Sequence, residues 1–254
     1  MIMQYFPDNA FEILYQSEER HFWFKVRNKI IGNMVSKYSF PQARILEVGC
    51  GTGYVSWYLK ELGYDIECAD IFQDALLFCK KRNAGNAYHQ YNLLDQKFIE
   101  EFDGICAFDV IEHINDDNAA LKNIHDALKP GGIVFITVPA NECLWSAMDI
   151  YAEHKRRYSL SELREKVEGN GFKVIKLTYF MTFLYPIIYI LRKLSVGNMN
   201  EEQIKKEVIK ELHPNTILNA IFFYIFSLEV PLIRLFNFPF GSSLLCVAIK
   251  EDRS

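Results

Sequence analysis

Three glycines at alternate positions, Gly49, Gly51 and Gly53, follow the apolar run Arg44–Val48, which carries one carboxylate, Glu47. Glycine tolerates positive φ and lets backbone approach a ligand closely. A helix beginning just beyond them would offer unpaired N–H groups. Two features narrow what such a turn can hold. A dinucleotide fingerprint, G-x-G-x-x-G, needs its third glycine at position 54, where the chain has Tyr54. A carboxylate at position 47 would repel a pyrophosphate but favour a ligand bearing an ammonium group. Asp70 ends the next apolar run, about 20 residues beyond the first glycine, where an acid accepts ribose hydroxyls. The set reads as a site for a zwitterionic or cationic nucleoside.

A second constellation is Asp109-Val-Ile-Glu112-His113-Ile114, after the fourth apolar run, joined by His154 from His154-Lys155-Arg156-Arg157-Tyr158. In one helical turn, positions 109, 112 and 113 share a face. Glu112 and His113 could simply cap and pack a helix start. Alternatively, one imidazole is a general base that takes a proton from a substrate hydroxyl or amine, with Glu112 orienting it. A third reading binds a divalent ion through Asp109, Glu112, His113 and His154.

The elements that must position these groups alternate. Short apolar runs at 44–48, 66–69, 87–91, 104–108 and 133–138 are separated by helical stretches at 55–62, 73–82 and 118–128. Such alternation predicts a doubly wound α/β fold, with near-continuous apolar strands buried on both faces. Ser17–Tyr38 predicts a helix closed by Pro41, and Ser159 with Glu162 predicts a capping box opening a helix to Gly169. Phe172–Thr178 and Leu244–Ile249 predict two further strands. Between them, Tyr179–Leu194 and Ile217–Phe236 are strongly apolar around the charged piece Glu201–Glu211. Pro186, Asn219, Glu229, Pro231 and Arg234 interrupt these stretches, which disfavours transmembrane spans. Core helices, an oligomer interface, a substrate cover or a bilayer-docking surface remain open.

The run Glu47–Gly53, of the form E-x-G-x-G-x-G, together with Asp70, resembles the first two motifs of the class I S-adenosylmethionine-dependent methyltransferases. Lys129-Pro130-Gly131-Gly132 is similar to the turn before strand five in that family, and the resemblance spans about 44–138. The D-V-I-E-H-I run resembles ubiquinone-type O-methyltransferases and some metal-dependent ribose 2′-O-methyltransferases. The resemblance implies a Rossmann-like, seven-stranded, mostly parallel sheet. It also implies that Glu47, Gly49, Cys50, Gly51, Gly53 and Asp70 hold the cofactor. Asn92 takes the place of the family's acid toward the adenine amine, with the Leu93 N–H beside it and Asp95 as a fallback. Ile71 would pack on adenine, and Phe108 would meet the methionine moiety through its backbone. The lead-in helix becomes a lid, in which Phe22 and Trp23 exclude water and Arg27 meets the cofactor carboxylate bidentately.

The expected organisation is a lid over 1–40, a cofactor-binding core over 41–178, an apolar helical insertion and acceptor cover over 179–240, and the last strand and tail over 241–254. The expected reaction is methyl transfer, O-methylation foremost, to a small-molecule or lipid-like acceptor. The contrasting readings are a non-catalytic cofactor-binding or membrane-associated scaffold and a nicotinamide-dependent oxidoreductase. The composition is globular: 50% of residues are hydrophobic and 24% charged, and 28 basic against 32 acidic residues leave a net charge of -4. This balance gives no general attraction to nucleic acid, and Lys155–Arg157 is only a small basic patch. Six cysteines without a C-x-x-C pair predict buried, reduced thiols. The N-terminus lacks a basic, apolar signal pattern, so the expected compartment is the cytosol, with peripheral membrane contact through 179–240 and homodimerisation left open.

Overall fold

The computed structural model describes residues 10–194 and 200–251; the expectations for 1–9, 195–199 and 252–254 lie outside it. The chain runs α1 (Ala10–Glu18), α2 (Phe22–Tyr38), β1 (Arg44–Val48), α3 (Tyr54–Glu61), β2 (Asp65–Asp70), α4 (Gln73–Arg82), β3 (Ala87–Gln90) and β4 (Phe102–Phe108). It continues through α5 (Asp117–Ala127), β5 (Leu128–Pro139), α6 (Ala147–Tyr151), α7 (Leu160–Gly169) and β6 (Phe172–Phe180). The segment α8 (Tyr185–Leu194), α9 (Glu201–Leu212), α10 (Thr216–Ser227) and α11 (Glu229–Leu232) precedes β7 (Ser243–Lys250).

The strands form one seven-stranded sheet in the order β3-β2-β1-β4-β5-β7-β6. Pairs among β1 to β5 are parallel, whereas β7 lies antiparallel to both β5 and β6. The chain winds outward from β1 to β3 and returns to β4 on the other side of β1. That reversal opens a crevice beyond the carboxyl ends of β1 and β4, where doubly wound sheets bind ligands.

Successive residues of one strand enter opposite layers. Leu46 and Ile105 pack with Leu121, Ile124, Leu163 and Val167 of α5 and α7. Ile45 and Cys106 pack on the other face with Val26, Ile30, Met34, Leu59 and Leu76 of α2, α3 and α4. Burial on both faces makes the central strands apolar along most of their length, with Glu47 the buried acidic exception in β1. Each fully buried Leu or Ile contributes about 1.5–3 kcal/mol relative to exposure.

Several boundaries differ from the sequence expectation for local reasons. The single lead-in helix is two: it breaks at residues 19–21, where His21 caps α2 by accepting from the Trp23 N–H at 3.1 Å. Lys129–Gly132 is a bulge carried inside β5, with Gly131 at φ 70°, rather than a turn ahead of it. The turn expected over 109–113 is a short 3-10 turn, Ile111–His113. The capping box of Ser159 and Glu162 is present.

The apolar segment before β7 does not behave as a single cover. Ile204, Val208 and Leu212 of α9 pack against Ile13, Phe24, Ala147, Met148 and Tyr151, joining α1, α2 and α6. By contrast, α10 and α11 lie on α2. Asn33 Nδ2 donates to Val230 O and Lys37 Nζ to Arg234 O, both at 2.8 Å, and Asn219 Oδ1 accepts from the Phe22 N–H. Glu229 is fully buried at this junction and accepts from the Thr182 N–H.

Candidate functional site

The glycine turn leaves β1 with all three glycines at positive φ: 63° at Gly49, 54° at Gly51 and 77° at Gly53. Their jobs differ. A Cβ on Gly49 would meet Val110 Cγ2 at 2.5 Å, so Gly49 lets β1 approach the turn after β4. A Cβ on Gly53 would meet Ala84 Cβ at 2.7 Å and Cys79 Sγ at 2.8 Å, so Gly53 supplies the close packing on α4. Gly51 faces open space, with nothing within 4 Å of the same construction. It is the position where a ligand can lie against bare backbone.

Asp70 is buried beside this turn. Its Oδ2 accepts from the Gly51 N–H and its Oδ1 from the Phe72 N–H, both at 2.9 Å. Burial raises its pKa from the ordinary aspartate value, against the lowering effect of these amides. Each oxygen of a carboxylate has a second lone pair, so two acceptor positions are left for a diol. The Cys50 N–H is held by Ala69 O at 3.1 Å, which fixes the turn to β2.

Glu47 departs from the expectation of an exposed negative charge. Its side chain is buried and accepts from the Ser56 hydroxyl of α3. Burial pushes its pKa up to about 8, only partly offset by Ser56 and by the Arg27 guanidinium, so the carboxyl is largely protonated at neutral pH. An ammonium group brought beside it would restore the charge.

Arg27 crosses from α2 to the end of β4. Its Nη2 meets Asp109 Oδ2 at 2.6 Å, and its guanidinium carbon lies 5.3 Å from the Trp23 ring centre and 5.8 Å from that of Phe108. Asp109 is itself at φ 57° and accepts from Thr137 Oγ1 at 3.2 Å. Arg27 is therefore engaged rather than poised only for a cofactor carboxylate, although its Nε is buried without a partner. Phe22 does not line the site. Its ring packs on Phe222 and Phe226 at 5.2 and 5.3 Å and anchors α10.

Beyond β3, Asn92 Oδ1 accepts from the Leu94 N–H at 3.1 Å, and Leu93 is buried with its carbonyl accepting from Asn123. Ile71 is half-buried directly after Asp70. Asp95 is exposed.

The sequence reading missed a clamp over the turn. Glu18 at the end of α1 is buried, accepts from the Thr52 hydroxyl and pairs with Arg82 of α4 at 3.0 Å. Arg82 also donates to Thr52 O at 3.2 Å. Burial raises Glu18 to about 7, with Thr52 and Arg82 pulling it down. Nothing local marks these residues; Glu18 lies 34 positions from Thr52 and 64 from Arg82 and is brought to them by the docking of α1. Three thiols, Cys50, Cys68 and Cys79, also cluster beneath the turn, with Cys50 and Cys79 Sγ 3.5 Å apart. Five of the six cysteines are buried as expected, and Cys143 is exposed.

The second constellation converges, with one change of partner. His113 and His154 stand edge to face with ring centres 4.7 Å apart. The carboxylate that orients His154 is Asp149, whose Oδ1 lies 2.8 Å from His154 Nδ1. Glu112, expected in that role, is 3.9 Å from His154 Nε2. Asp149 is fully buried, takes two further bonds from Arg157 Nε and Nη2 at 2.8 and 2.9 Å, and accepts from the Ser146 N–H and hydroxyl. Despite burial, these partners hold it well below the usual carboxylate range. An ionised carboxylate only accepts, so His154 Nδ1 carries the proton and, in the neutral ring, Nε2 is the acceptor. Glu112 is fully buried, its pKa raised well above normal chiefly by burial and by Asp109. Burial and the neighbouring His154 lower His113 to about 4. The Lys155 N–H donates to Glu112 O at 2.9 Å and pins the 154–157 loop onto the 3-10 turn. Donor atoms of Glu112, His113 and His154 lie within 4.8 Å of one another.

A family model described as methyltransferase domain matches residues 15–177. Among curated proteins, an O-methyltransferase, resE, of Aspergillus sclerotiorum is 27% identical over 59% of this chain and 62% of its own length. The malonyl-[acyl-carrier protein] O-methyltransferase of Buchnera aphidicola is 23% identical over 76% of this chain and 83% of its own. A ubiquinone biosynthesis O-methyltransferase of Xanthomonas campestris is 24% identical over 41% of this chain and 46% of its own. The chain thus spans less than two thirds of the Aspergillus and Xanthomonas enzymes. Among solved structures, phosphoethanolamine N-methyltransferase 2 of Haemonchus contortus, in complex with S-adenosyl-L-methionine, superposes with a TM-score of 0.56 at 17% identity, covering 89% of this chain and 53% of that one.

Proposed function

Since this chain belongs to the methyltransferase-domain family, whose members draw on S-adenosylmethionine, we propose that it methylates a hydroxyl group of a hydrophobic small-molecule or lipid-like acceptor. The residues at the first site suit that cofactor. Gly51 leaves backbone open, Asp70 retains acceptor positions for the ribose diol, and Glu47 answers an ammonium group. Asn92, Leu93 and Ile71 would face the adenine, and the Arg27 Nε the carboxylate. When bound, the sulfonium supplies an activated methyl group, so the hard chemistry is the cofactor's.

The observation that carries the hydroxyl assignment is the Asp149–His154 pair. With Nδ1–H held on the Arg157-bound Asp149 carboxylate, the uncharged ring would present Nε2 as a base of set direction. General-base help of this kind contributes about 10²–10⁴-fold. Burial favours the uncharged forms of both Glu112 and His113 beside His154. Proximity of Glu112, His113 and His154 would also suit a divalent ion. Chelation separates the two, because a base needs no ion. The apolar cluster of α9 with α1, α2 and α6 includes Met148 and Tyr151, neighbours of Asp149 in α6, which supports a hydrophobic acceptor.

The test incubates the protein and methyl-labelled S-adenosylmethionine with a cell extract. The expected result is label entering the organic phase, lost in His154→Ala and insensitive to chelator. Label confined to protein or nucleic acid would overturn the acceptor class.

A further inference from the structure

The helix α10–α11 is apolar on both faces. Its inner stripe, Phe222, Phe226 and Ile233, belongs to the core around α2. Its outer stripe, Ile217, Ile221, Tyr224 and Leu228, recurs at helical spacing and is exposed, Tyr224 to 72%, and Leu235 in the turn beyond α11 is exposed to 74%. A helix seated on a soluble domain ordinarily carries polar residues there. Contiguous exposed apolar surface marks an interaction site.

The exposed and half-buried charges of the α10–α11 segment and of α2 have one sign. From Thr216 to Phe240 the only acid is Glu229, which is buried. Arg234 is exposed on the same segment. The neighbouring α2 contributes Lys25, Lys29 and Lys37 and no acid at all. Lys25 and Lys29 lie 4.8 and 4.3 Å from the Phe223 ring centre, and Lys37 donates to Arg234 O. In a chain of net charge -4, the charged side chains that α2 and the α10–α11 segment bring beside this apolar face are cations. Among the described residues no single helix is long and apolar enough to cross a membrane, and α9 meets α10 at a bend of 68°. A helix of this kind lies in the plane of an interface.

We infer that the outer face of α10–α11, with the α2 lysines at its edge, docks on the surface of an anionic lipid bilayer. A second copy of the chain would set the same lysines against each other, whereas anionic headgroups meet the cations and acyl chains meet the stripe. Docking would present the crevice to acceptors dissolved in the bilayer. That functional link rests on the hydrophobic-acceptor reading; the docking itself does not.

The test is co-sedimentation of the full chain with vesicles of phosphatidylcholine alone or with about one third phosphatidylglycerol. The expected result is binding to the anionic vesicles, at least about tenfold tighter than to neutral ones, and weakened by salt. The double variant Ile221→Asp/Leu228→Asp, at exposed positions, should lose vesicle binding and keep its affinity for S-adenosylhomocysteine by calorimetry. Lys25→Glu/Lys29→Glu should lose the preference for anionic vesicles. Equal sedimentation of wild type and the double variant would overturn the inference. So would a concentration-dependent dimer, abolished by the same substitutions, in a protein that ignores vesicles. The calorimetry keeps either failure distinct from a failure of the methyltransferase reading.

Discussion

The halves of the crevice on either side of the β1–β4 junction are assembled differently. On the β1–β3 side, the glycine turn, Asp70 and Glu47 belong to consecutive strand ends, and each finds its main partners locally: Asp70 on the Gly51 and Phe72 amides, Glu47 on Ser56. On the β4–β5 side, Asp109 is met by Arg27 from α2, and His154 by Asp149, which is in turn held by Arg157. The first side is a motif. The second joins a compact cluster, Asp149, His154 and Arg157, to His113 and sets Arg27 on Asp109, encounters that only the folded chain brings about. Ligand recognition built on local backbone survives sequence drift in the remainder of the chain, while the reacting side depends on the register of loops and can be retuned for a new acceptor.

Substitutions should separate the halves. The largest effect is expected for His154→Ala, a fall in kcat on the order of 10²–10⁴-fold with the Kd for S-adenosylhomocysteine unchanged, read by steady-state kinetics and calorimetry. Asp149→Asn should follow it in kcat, because an amide can no longer fix the imidazole tautomer. On the other side, Asp70→Asn should weaken S-adenosylhomocysteine binding by about 100-fold, since charge-assisted bonds to a diol contribute about 1.5–3 kcal/mol each. It should also lower the melting temperature, because the Gly51 and Phe72 amides lose their charged acceptor.

A subtler effect concerns protons. Glu47, raised to about 8 by burial, is mostly protonated at pH 7. A ligand ammonium favours its charged form, so binding should release close to one proton at pH 7, and affinity should rise with pH up to about 8. Calorimetry in buffers of different ionisation enthalpy measures this release, which Glu47→Gln should abolish. The smallest expected effect is on stability. His113 is lowered to about 4 from an ordinary 6.5, so between those values the unfolded chain binds the proton and the folded chain does not. Its contribution to stability therefore rises with pH across that window and is constant above it. Urea midpoints of His113→Asn should show a flatter acid limb than the wild type between pH 4 and 6.5.

The same division explains what the sequence disclosed. The seven-stranded sheet, its doubly wound order and the glycine turn after β1 were legible because alternating apolar runs and a glycine spacing are local signals. The convergence of His113 and His154 was legible as a guess from strand-end positions. The role of Asp149 was not: the Ser146–Asp149 spacing marks only a capping box, and the bonds to His154 and Arg157 come from the way the following turn folds back. The protonation of Glu47 was equally hidden, because burial under α3 is a property of packing. The break between α1 and α2, which lets Glu18 reach Thr52 and Arg82, left no mark in a run of helix-forming residues.

The most direct test of the account is a crystal structure with S-adenosylhomocysteine. It should place the ribose hydroxyls on Asp70, the amino group toward Glu47, and the sulfur on the side of the crevice facing His113 and His154. Ribose density away from Asp70, or a sulfur pointing away from the histidine pair, would contradict it.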